Sequence, residues 1–249
     1  MQKERRNQLV NSLLVPVLAV ITGLIFAALL ILFTDVPPLK ALGELASAAF
    51  GCRSITSCNF LTTLERATPL ILTGLGAVVA FRSGMFSIGQ EGQLLMGAVT
   101  AAYLGYATHL PVVIHPIFII LCSMAAGGLY GWVPGVLKVK LGVNEVITTI
   151  VMNTIATLVM EYLVNFPMRG DPSATAHSPV IDLTAHLPAF LPGSKWGIGF
   201  VIALVMAVVV YFFLWRSSSG YEQRMAGTAP LFAKFGGMKN DKIAIRGMI

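Results

Sequence analysis

The sequence predicts an all-α polytopic membrane protein, and three observations carry that reading. From Gly92 to Leu137, 46 residues pass without an Asp, Glu, Lys or Arg. Across 249 residues the chain is 56% hydrophobic and 11% charged, with a mean hydropathy of +0.79. Soluble domains carry roughly a quarter charged residues, so a water-facing surface of this size cannot be built from so few. The apolar runs also lack period-two alternation. In lipid every backbone polar group must be satisfied within its own segment or a closed barrel, so these runs are helices.

A helix rises about 1.5 Å per residue and needs about 20 residues to cross the hydrocarbon. On that measure residues 13–33 form the first span and follow the charged Lys3-Glu4-Arg5-Arg6. That apolar run is too long for a signal-peptide core and lacks a small-residue cleavage site, so it reads as an uncleaved helix. Residues 60–81 form the second span, and the uncharged run supplies two more, 92–108 and 116–137, parted near His109 and Pro116. Residues 146–166 give the fifth, and 196–215, bracketed by Trp196 and Trp215, the sixth. The N-terminus is expected to be cytoplasmic. Of the 17 Lys and Arg, that topology leaves only Lys40, Arg53, Arg66, Arg169 and Lys195 on the outer side. The net charge of +6 thus follows from topology, and no nucleic-acid partner is implied.

Between the spans, Leu39–Phe50 reads as a short amphipathic helix lying on the membrane. Cys52 and Cys58 share the first outer loop, where a disulfide is possible but not fixed by spacing. The second long outer loop, 167–195, reads as irregular. The inner tail 216–249 is basic, with apolar residues at helical spacing. Its end, Lys242–Ile249, reads as the approach to a further span, so the chain is expected to be C-terminally truncated.

Two features point to transport. Glu145, Thr149, Asn153, Thr157 and Glu161 recur every four residues and form one polar stripe on the fifth span. Ionisable groups within a span are costly and commonly face a protein interior or a water-filled path. Interhelical hydrogen bonding is the other reading of the same stripe. The second feature, Arg82–Gln93, sets three glycines among polar residues between two apolar stretches. Such a segment either breaks a helix to present backbone groups to a solute or makes a plain turn. Gly127, Gly131 and Gly135 are expected to permit close helix packing. His109, His115, His177 and His186 show no helical zinc spacing, and no Walker-type loop is present, so no metal or cofactor is expected on this chain.

Four stretches are recognisable: Glu65–Leu75, Phe81–Gln93, Pro134–Asn153 and Gly220–Gly227. In them the chain resembles the permease subunits of ABC importers for nucleosides and simple sugars, related to ribose and branched-chain amino-acid permeases. Ser87 stands where that family commonly has Asn. The resemblance implies a bacterial inner-membrane subunit without enzymatic activity. Its partners would be ABC ATPases that consume the ATP, a second permease subunit, an extracytoplasmic solute-binding protein and membrane lipid. Gly220, Tyr221, Arg224, Met225, Ala226, Gly227, Phe232 and Phe235 would meet the ATPase, with Arg224 exposed. Asn153, Gln90, Gln93, Phe86, Thr149, Thr157 and Glu161 would line the path of a nucleoside, ribose, another sugar or a flavin. The residues by themselves also leave open an ATP-independent transporter or channel and a noncatalytic assembly protein.

Overall fold

The computed structural model describes residues 2–33, 37–52, 58–171, 177–190 and 197–249, and for residues 2–13, 15 and 16 the backbone alone. The described residues are helical throughout, apart from turns, irregular segments and two isolated bridges. They fall into two compact units that divide between Leu64 and Glu65.

The first unit holds α1 (Gln2–Ile31), α2 (Pro38–Phe50) and the start of α3 (Asn59–Arg82). The span expected at 13–33 is the latter part of a longer helix that ends at Ile31, because the charged leader is made of good helix formers. Pro38 opens α2 at a position where its fixed φ suits the helix and its missing N–H costs nothing. The last turn of α2 is satisfied from α3: Asn59 Nδ2 donates to Ser47 O at 3.0 Å and Thr63 Oγ1 to Ala49 O at 2.9 Å. Cys52 and Cys58 are disulfide-bonded, which closes the possibility that spacing left open.

The second unit contains the rest of α3, then α4 (Gln90–Ala107), α5 (Ile114–Leu141), α6 (Glu145–Asn165), α7 (Ile198–Arg216), α8 (Ser218–Thr228), α9 (Pro230–Phe235) and α10 (Asn240–Met248). Among the described residues, four helices, α3, α5, α6 and α7, are long and apolar enough to cross a membrane. α4 is a helix where the sequence places one, yet its composition falls short of that standard. It packs against both α5 and α6, so Gln90, Gly92 and Gln93 of its first turn are half-buried or buried against protein and need not be apolar, while Glu91 is exposed. Residue 196, where the sixth span was expected to begin, lies outside the described residues, and α7 starts at Ile198.

The short connections within this unit are set by local chemistry. α5 ends on Gly142 in the left-handed region (φ +67°), and the Asn144 side chain caps α6 by accepting from Val146 N–H at 2.9 Å. The described part of 167–195 is irregular save for one turn of 3₁₀ helix at Leu183–Ala185, which packs on α5. The basic tail folds into α8, α9 and α10, and α10 returns to lie along α5.

Candidate functional site

The glycine-rich segment 83–89 joins α3 to α4 as a tight hairpin. Gly84 has φ +82°, a conformation that disfavours any residue with a Cβ. The Ser87 hydroxyl accepts from Gly89 N–H at 3.2 Å, and Gln90 Nε2 donates to Ser87 O at 3.3 Å. What holds the hairpin is the polar stripe of α6. Asn153 Oδ1 accepts from Gly92 N–H at 2.9 Å while its Nδ2 donates to Ile88 O at 2.9 Å. The N-terminal amides of α4 have no partner in their own helix, and Gly89 at the cap position has no side chain. Asn153 therefore caps α4 from a neighbouring helix.

The other stripe residues extend this clamp. Thr149, fully buried, donates to Glu145 O at 2.8 Å and accepts from Ile88 N–H at 3.3 Å. Thr157 donates to Asn153 O at 3.1 Å. Glu145 pairs with Lys138 at 2.7 Å, tying the end of α5 to the start of α6. Glu161 is exposed at the other end of α6. Gly92 is required by close approach: a Cβ there would meet Asn153 Oδ1 at 2.9 Å and the Tyr130 ring at 3.0 Å.

Beside the hairpin, α3, α4, α7 and α10 enclose a cavity of about 250 Å³ whose polar lining includes Ser87, Gln90 and Gln93. A second cavity of about 420 Å³ shares Gln90 and Gln93 and extends along α4 to Gly97, Ser123 and Gly127. Gln93 Nε2 donates to Met248 O at 2.8 Å, but the Oε1 atoms of Gln90 and Gln93 accept no hydrogen bond within the described residues. Of the residues expected on a path, these two glutamines line the cavities. Asn153 and Thr149 are engaged with the hairpin, Thr157 with its own helix. Phe86 is 57% exposed and stacks on Phe81 at 4.9 Å.

The α5 glycines make room at the same place. A Cβ on Gly127 would come within 3.1 Å of Gln93 O. One on Gly131 would overlap the Gln93 amide and Met248 O, and one on Gly135 would stand 3.3 Å from Met248 Cβ.

The tail residues divide into two faces. Gly220, Ala226 and Gly227 turn inward: a Cβ on Gly220 would lie 2.7 Å from Leu214 Cα, and Gly227 lies against the hairpin at Arg82 and Gly84. Tyr221, Phe232 and Phe235 are exposed, Phe235 at 89%, and Met225 is half-buried. Arg224, expected to be exposed, is half-buried instead, because its guanidinium lies 4.4 Å over the Trp215 ring. Arg82 approaches the same ring at 5.6 Å, so Trp215 joins hairpin and tail through cation–π contacts. Sequence reasoning placed Trp215 only at a membrane interface, and no spacing rule links it to Arg82. It also missed Tyr130, which donates to Met152 O at 2.6 Å, and the fully buried His115.

The family model for the permease component of branched-chain amino acid transport systems matches residues 59–249. The chain belongs to that permease family. It is 33% identical to the guanosine ABC transporter permease protein NupP of Bacillus subtilis, over 96% of this chain and 68% of that protein. It is 26% identical to the nucleoside ABC transporter permease protein NupB of Lactococcus lactis, over 98% of this chain and 68% of the relative. With the glucose ABC transporter permease protein TsgB13 of Haloferax volcanii the identity is 28%, over 92% and 62%. No solved structure matches the chain. It is thus a multi-pass, membrane-embedded ABC permease subunit, a transport component without an ATPase site of its own.

Proposed function

We propose that this permease subunit moves a nucleoside or simple sugar inward by alternating access, through the cavities lined by Gln90 and Gln93. The observation that carries the reading is the pair of uncommitted amide oxygens on those walls. Neutral amides inside an apolar enclosure suit a neutral, hydroxyl-rich solute, because they accept hydrogen bonds without the cost of burying a charge. The names of the relatives, guanosine, nucleoside and glucose permeases, support the same solute class.

In this reading the hairpin end is cytoplasmic and the exposed Tyr221, Phe232 and Phe235 seat a partner ATPase. ATP-driven closure of two ATPases would pull on residues 216–249 of this chain and of a second permease subunit. That pull has two routes to the cavity. One runs from Gly227 to Gly84 and along the hairpin to Gln90. The other runs from α10 through Met248 O to Gln93. A solute-binding protein would deliver solute at the opposite end.

The test is uptake of radiolabelled guanosine and glucose by nucleoside-transport-deficient cells that express this subunit with an ATPase and binding protein of the importer. ATP-dependent accumulation of either solute is expected. Uptake that follows an ion gradient and survives ATP depletion would overturn the proposal.

A further inference from the structure

We infer that the solute path includes an outer holding compartment between α4 and α5, closed by the segment Ile181–Leu187 acting as its lid. The inference rests on the path proposed above. A third cavity, of about 570 Å³, continues from the second and shares Leu94, Gly97, Ser123 and Met124 with it. Its floor is the small-residue face of α4, including Gly97, Ala101 and Gly105, and its far wall carries Ile181, Ala185 and Leu187. The three cavities thus form a series from Gln90 to the end of α4 opposite the hairpin. Walls this apolar, with the small residues Gly97 and Ala101 on the floor, fit the flat face of a nucleobase or the apolar face of a sugar ring. They hold few groups that would retain the solute, as a transit compartment requires. Ser123 Oγ, buried and without a hydrogen-bond partner among the described residues, stands where the second and third cavities meet.

The lid is fastened at a few points only. Asp182 N–H donates to Gly105 O at 2.9 Å, and the Asp182 carboxylate pairs with His109. That pair is solvent-exposed, at 77% and 40% of the two side chains, and so contributes little. The buried fastening is His115. Its Nδ1 is 2.9 Å from Thr184 Oγ1 and its Nε2 is 3.0 Å from Thr108 Oγ1, so one fully buried ring bridges the lid to the end of α4. No helix needs to unwind for Ile181–Leu187 to lift, since its one 3₁₀ turn moves with it. Loss of the Thr184 contact would leave the His115 ring, carried by α5, bonded only to the end of α4 and no longer to the lid.

Two experiments test the lid. In a Cys122→Ala background in nanodiscs, Ala101→Cys is reacted with a bulky hydrophilic maleimide. Thr184→Val, and independently Thr108→Val, should each raise the labelling rate at least five-fold while the protein stays monodisperse. Rates equal to the latched parent in both variants would overturn the lid, whether or not the protein imports nucleosides. The second experiment pairs Gly105→Cys with Ile181→Cys, positions where a Gly105 Cβ would stand 3.2 Å from Ile181 Cβ, close to disulfide range. Oxidation should abolish uptake of the imported solute, and reduction should restore it. Full uptake with the crosslink formed would overturn the inference. If the parent imports neither guanosine nor glucose, the path reading fails while the labelling result still decides the lid.

Discussion

Replacing Asn153 with Leu separates a clamp from a solute contact. Leucine keeps the approximate volume but removes the acceptor for Gly92 N–H and the donor to Ile88 O, both made at 2.9 Å. Leaving a buried backbone group unsatisfied costs about 1–3 kcal/mol. Because Ile88 is partly open to its surroundings at 44% exposure, the two losses together come to about 2–4 kcal/mol. For a chain of this size each kcal/mol lowers Tm by about 2–4 °C, so a fall of roughly 5–15 °C is expected in detergent, read by intrinsic fluorescence. Asn153→Asp, which keeps the acceptor at a helix N-terminus but loses the donor, should fall between Leu and the parent. A Tm within about 2 °C of the parent for Asn153→Leu, together with a raised KM for uptake, would refute the clamp and return Asn153 to the solute path.

Other substitutions give equally specific outcomes. Gly227→Ala puts a methyl group against Arg82 O and within 2.8 Å of Gly84 N, backbone atoms that cannot rotate away. It should destabilise by about 1–3 kcal/mol and reduce ATP-coupled uptake more than solute binding. Gly131→Ala should loosen α10 from α5, because its methyl overlaps the Gln93 amide and Met248 O, and faster proteolysis after Lys242 will report it. Phe232→Ser with Phe235→Ser should leave stability within about 0.5 kcal/mol, since the side chains are 60% and 89% exposed, yet weaken ATPase binding at least ten-fold by biolayer interferometry. A cycle of Lys138→Met and Glu145→Gln should give a coupling of no more than about 1 kcal/mol, because the Lys138 side chain is 37% exposed.

The helices were legible because lipid allows few alternatives: apolar runs of sufficient length marked α3, α5, α6 and α7 to within a few residues of their ends. α4 was legible as a helix, but composition could not show that α5 and α6 flank it and allow Gln90 and Gln93 in its first turn. The stripe on α6 was visible in its spacing of four. What it faces depends on the approach of the hairpin, which no period encodes, and the structure turns Asn153 and Thr149 toward Ile88 and Gly92. The tail showed helical spacing without showing that α10 returns to the α5 glycines. His115 offered only an isolated histidine at the start of an apolar helix, and its two threonine partners lie 7 and 69 residues away.

The most direct test of the account is ATP-driven uptake in proteoliposomes containing the assembled importer, comparing the parent with Gln90→Leu and Gln93→Leu, singly and together. The account predicts that the double variant assembles and stimulates ATPase activity but imports guanosine or glucose with kcat/KM reduced at least ten-fold. Uptake at the parental rate with both glutamines replaced would contradict it and place the solute path elsewhere.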